Sequence, residues 1–222
     1  MFYFRINKLK IIDNRERGFL FFTRDRAEVK LFSFITTENT DLPELAELNS
    51  AESDEEKRKI IKATIERCIS SRTFIEIDNV KDNQTLTFGD TGYVLYQSEA
   101  IPDDFNWVFL VIESDKETRD IGQMLDNIVK SEDFATFSDE LLSQLSDTVS
   151  NNPAYTAGLA IAKFVTGILI EALKNDKDDL IGVLYTSLNR WEHYPHCDRK
   201  KDDIPDITHN ILIDYTIFGY EA

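Results

Sequence analysis

The 222-residue chain combines 42% hydrophobic residues, including 15 Phe and 8 Tyr, with a formal charge of -16 from 25 Lys and Arg against 41 Asp and Glu. That much apolar bulk excludes a disordered chain and suffices for a core without staples, while the strongly anionic balance argues against nucleic acid and anionic lipid surfaces as partners. Two cysteines, Cys68 and Cys197, form no disulfide framework, so the expected setting is cytoplasmic with reduced thiols.

The chain opens in period two. Phe2, Phe4 and Ile6 fall on one face and Tyr3 and Arg5 on the other, as a half-buried strand requires, which also makes the opening unlike a secretory leader. After the turn-like DNRERG come the apolar run Phe19 to Phe22 and the stretch Ala27 to Ile35. The second half of that stretch is apolar on both sides and should be covered twice.

The period changes over roughly 38–71. Ser53 and Glu56 make a capping-box pattern, and Ile60, Ile61, Ile65 and Cys68 recur at helical spacing. Asp54 with Arg58 and Glu55 with Lys59 are expected as supporting charge pairs, and Cys68 as a small buried hydrophobe. Strand patterns return at 73–77, 85–88, 93–96 and 105–113. The last is apolar on both faces and belongs inside a sheet.

A helical block follows, with a second capping-box pattern at Ser114 and Glu117 and apolar stripes through Ile121, Met124, Leu125 and Ile128, then through Phe134, Phe137, Leu141, Leu142 and Leu145. Residues 154–173 form the most hydrophobic window. Lys163 and Glu171 within it disfavour a membrane span, at about 2.5 to 3.5 kcal/mol per central charge. The reading is a core helix, with Ala154, Gly158, Ala162 and Thr166 as a ridge of small residues. The same ridge supports a subsidiary reading in which 154–173 inserts conditionally into a membrane.

Residues 179–191 and 207–218 are expected as two closing strands, with His209 on the apolar face of the second and 192–206 as their connecting loop. The sum is a single α+β domain over 1–222: an antiparallel β-sandwich of eight or nine strands, with helical insertions at about 43–70 and 115–175, the larger packing on one sheet. In strand count and loop placement it resembles the calcium- and lipid-binding β-sandwich modules of signalling proteins. That resemblance implies a fold and carries no diagnostic motif.

Chemistry is sparse. The glycine patterns that cradle phosphates are absent, as are HExxH, GxSxG and CxxC. The dense stretch is Trp191 to His209, which holds all three histidines. Candidate binding residues are Trp191, His193, Tyr194, His196, Asp198, Asp202, Asp203 and Asp206. A zinc site would draw on His193, His196, Cys197, Asp203 and His209, although adjacent His196 and Cys197 tend to point apart. A calcium site would use the aspartates, which lack the spacing of a calcium-binding loop and share the stretch with Arg199, Lys200 and Lys201. A nucleophilic Cys197 would need a histidine at the right angle. No cofactor is predicted, with calcium or zinc as the metals to test. The leading expectation is a non-enzymatic binding or assembly module with a protein partner. The alternatives are a metal-dependent hydrolase using 192–209 and a conditional membrane inserter using 154–173.

Overall fold

The computed structural model of the chain describes residues 1–15, 26–37, 47, 50–70, 73–113, 131–147, 160–161, 163–164, 167, 180–193 and 198–221. In chain order the elements are β1 (Phe2–Ile11), β2 (Ala27–Thr37), α1 (Asp54–Ser70), β3 (Thr73–Val80), β4 (Gln84–Thr87), β5 (Tyr93–Ser98), β6 (Asp104–Glu113), α2 (Glu132–Asp147), β7 (Leu180–Asn189), α3 (Arg190–His193), β8 (Asp198–Pro205) and β9 (Ile211–Gly219). Residues 160, 161, 163, 164 and 167 are also helical.

The strands form two antiparallel sheets. One runs β4-β1-β9-β8, with β5 also pairing β1, and the other runs β3-β2-β6-β7. The opening and closing strands are neighbours, from Phe2 opposite Gly219 to Ile11 opposite Ile211. The core lies between the sheets and draws on both ends of the chain: Phe2, Phe4, Ile6, Ile213, Tyr215 and Ile217 meet Val29, Leu31, Trp107, Phe109 and Val111. Phe4 sits 4.7 Å from Trp107 and 5.4 Å from Tyr215 between ring centroids. The buried Trp107 indole donates to Ser33 Oγ at 2.9 Å, so its polar atom is satisfied inside the apolar layer.

The double-sided apolar reading of β2 and β6 holds. Phe32, Phe34, Val108, Leu110 and Ile112 point away from the sandwich core and are buried nonetheless. Among the described helical residues, Ile61, Leu141 and Ile161 are buried as well, outside the core between the sheets. The result is a two-sheet antiparallel sandwich accompanied by helices, an α+β architecture. Phe137 stacks on Phe164 at 4.1 Å and ties the helical residues to one another.

In α1 the capping reading is half met: the Glu56 N–H donates to Ser53 Oγ, while the Glu56 carboxylate accepts from the Glu52 N–H, one residue ahead of the cap. Glu55 pairs with Lys59 at 3.0 Å as expected. Arg58 does not pair with Asp54; it reaches Asp139 on α2 at 2.6 Å, because a guanidinium can bridge two helices where an in-helix partner is solvated. Of the stripe, Ile61 is buried with Thr64 beside it, and the Ile65 and Cys68 side chains lie outside the described residues. So do Phe19 to Phe22, the stripe from Ile121 to Ile128 and the ridge of Ala154, Gly158, Ala162 and Thr166.

The end of the chain departs from expectation. The connection expected as a loop contains α3 and strand β8, which pairs β9 from Asp198 opposite Phe218 to Pro205 opposite Leu212. The closing strand starts at Ile211, so His209 lies on no strand face: it is exposed in a turn with φ of 58°.

Candidate functional site

The described residues of the stretch from Trp191 to His209 do not converge on one point. β8 carries it from the pole where Asp198 faces Phe218 to the pole where Pro205 faces Leu212. Eight extended residues with one bulge span about 20 to 25 Å. α3, with Trp191 and His193, follows Asn189, which pairs Asp104 at the first pole; the turn with His209 belongs to the second. The turn bearing His209 thus stands at the opposite pole from the α3 backbone. The side chains of His193 and Asp198 lie outside the described residues, as do Tyr194, His196 and Cys197 altogether.

At the second pole the chemistry is structural. Asp206 is buried, and its two carboxylate oxygens accept five hydrogen bonds: from Val183 N, Thr208 N, Thr208 Oγ1, Asn210 N and Ile211 N, at 2.6 to 3.0 Å. Burial pushes this carboxyl upward, but the bonds from Thr208, Ile211 and Val183 together outweigh it and hold the group below its ordinary 3.8. Val183 belongs to the other sheet, and the Asn210 side chain donates to Ile181 O on the same strand. Asp206 and Asn210 thus join the two sheets.

Asp202 and Asp203 form a bulge midway along β8, between Lys201 opposite Tyr215 and Ile204 opposite Ile213. Both are exposed, and Asp203 has φ of 52° with its N–H on Asp214 at 2.8 Å. Lys8 closes on Asp214 at 2.9 Å, which raises the lysine above 10.5. The bulge blunts an edge strand with charge, a feature that opposes strand-to-strand aggregation.

The first pole presents a different arrangement. Trp191 is 87% exposed, yet the backbone beneath it is held by several hydrogen bonds. Asn189 Oδ1 accepts from the Trp191 N–H at 3.0 Å, and the Glu192 carboxylate accepts from the Asn189 N–H at 2.8 Å. The Arg190 side chain donates to Ile101 O at 3.0 Å and to Glu221, while its N–H donates to Asp103 O at 2.7 Å. Beside it, Tyr220 is 56% exposed and Met1 54%, joined by Tyr220 N to Met1 O at 2.8 Å.

Sequence reading named Trp191 but missed Tyr220 and Met1, which are joined through the β1–β9 pairing and reach this pole where Glu221 meets Arg190. It also missed the exposed trio Glu28, Glu76 and Asp78, whose carboxylate oxygens all lie within 4.8 Å of one another. Each occurs on a strand as an ordinary outward acid, and only the β2–β3 pairing assembles them. Glu28 and Asp78, together with Arg26 and Asn79, rim an open recess. Among the described residues, no helix is long and apolar enough to cross a membrane.

A scan against protein-family models and a search of curated proteins find no match to this chain.

Proposed function

We propose that this chain is a non-enzymatic binding or assembly module, acting as one domain in a reducing cytoplasm, that engages a protein partner through the pole bearing Trp191. The observation that carries the reading is the pairing of a nearly fully exposed indole with a base whose polar groups are fixed. An exposed tryptophan on a mobile loop loses much of its binding energy to ordering; one on a fixed base has already lost that freedom. Tryptophan is also among the side chains most enriched where binding energy concentrates. The polar clusters at the opposite pole leave that end to hold the fold together: Asp206 and Asn210 are turned inward, each bonded to both sheets or their connections.

Comparative affinity purification of wild type and Trp191→Ala tests this. The variant is expected to fold with unchanged thermal stability and to lose its associated proteins by at least tenfold. Retention of the same proteins at the same level by Trp191→Ala would overturn the reading.

A further inference from the structure

The charge around Trp191 narrows the class of partner. Trp191 and Tyr220 are each one residue from the Arg190–Glu221 ion pair, which sets both exposed residues at this pole. Exposed carboxylates border it: Glu99 and Asp103 on the connection into β6, Glu192 on α3 and Glu221 after β9. Among the described side chains the cations at this pole are paired: Arg190 bonds Ile101 O, Asp103 and Glu221, and the Met1 ammonium donates to Tyr220 O at 2.6 Å. On β8 the Arg199 side chain lies outside the described residues, and Lys200 and Lys201 stand opposite Thr216 and Tyr215, further along the strand. Exposed aromatic rings with carboxylates at the same pole attract a cation twice, through the ring faces and through Coulomb attraction. The chain's overall charge of -16 works in the same direction at long range.

We infer that this pole docks a basic segment of a partner protein, with an apolar residue of that segment against Trp191 and Tyr220 and its Lys or Arg side chains on the surrounding carboxylates. This rests on the binding-module reading and names the partner's chemistry. A second copy of this chain fits poorly, since it would bring another strongly acidic surface to the patch.

The probes are three labelled twelve-residue peptides of one design, with Leu and Tyr interleaved with Lys and Arg, with Gln, or with Glu. Binding to the full chain is read by fluorescence anisotropy at physiological salt, and Trp191 emission supplies a second signal because Trp107 is fully buried. The basic peptide is expected to saturate. Asp103→Lys and Trp191→Ala are each expected to weaken it at least tenfold. Glu76→Lys makes the same change in net charge on β3, away from the patch, and is expected to weaken it less than twofold. Equal loss in Asp103→Lys and Glu76→Lys would mean that only the bulk field attracts the peptide, and would overturn the inference. So would absence of saturable binding by the basic peptide. Tighter binding of the Gln or Glu peptide, still lost in Trp191→Ala, would overturn the basic class but leave the binding surface standing. Binding of every peptide unchanged in Trp191→Ala would overturn both. Sedimentation showing self-association that Trp191→Ala abolishes would make the occupant a second copy, and would also overturn it.

Discussion

Asp206 holds the backbone N–H of Val183 at 3.0 Å across the gap between the two sheets. The carboxylate does so while closing its own turn on Thr208, Asn210 and Ile211. Truncation to Asp206→Ala would strand several buried N–H groups, each worth about 1 to 3 kcal/mol when unsatisfied. The expected loss is about 3 kcal/mol or more by urea denaturation. Asp206→Asn retains one acceptor and is expected to fall between.

The same carboxylate imposes a pH dependence with a definite sign. Its folded-state pKa lies below the ordinary 3.8, so its contribution is fully present above that value and lost as pH falls through the folded-state pKa. Denaturation curves from pH 7 down to pH 3 should show the gap between wild type and Asp206→Asn constant to about pH 5 and narrowing below about pH 4. Lys8 has the opposite sign: raised above 10.5 by Asp214, its contribution persists through neutral pH and is lost only in strong alkali.

Gly182 on β7 faces Ile211, the first residue of β9. A Cβ built on Gly182 would lie 2.7 to 2.9 Å from three side-chain carbons of Ile211, which is fully buried. Gly182→Ala is therefore expected to destabilise the fold by about 1 to 3 kcal/mol. Adding Ile211→Val removes one of the crowding methyl groups and should recover part of the loss, so the double mutant cycle should show non-additivity of at least about 0.5 kcal/mol.

Asp203 adopts a left-handed backbone conformation, and its side chain is exposed at the β8 bulge. Asp203→Gly is expected to stay within about 0.5 kcal/mol of wild type, since glycine takes that conformation freely. Asp203→Val should lose about 1 to 2 kcal/mol. Both follow from thermal denaturation with the Lys8–Asp214 pair left intact.

Much of the sandwich was legible because burial imposes period two. Phe2, Phe4 and Ile6 are buried as their alternation requires, and the unbroken apolar run of β6 matches a strand covered on both faces. β8 was not legible: DRKKDDIP is an exposed, bulged edge whose pairing rests on backbone bonds to β9, so no hydrophobic period marks it. The turn before β9 misled for the opposite reason. Ile207, His209 and Ile211 alternate like a strand, but Asp206 accepts from the N–H groups that would otherwise extend it, leaving Ile207 70% exposed. At the candidate site, the exposed indole could be named from sequence, but its neighbours could not, because Arg190, Glu221 and Tyr220 meet only once both sheets have formed.

The pairing of β1 with β9 also sets an order of events during synthesis. Among the described strands, β1 can meet β4 and β5 on one side early, but its other side waits for β9, which follows much later in the chain. Contacts of such sequence separation slow folding, because the loop must close before they form. Until then the nascent sheet carries an unpaired inner margin next to Phe2 and Phe4, the interval in which a chaperone would be needed most.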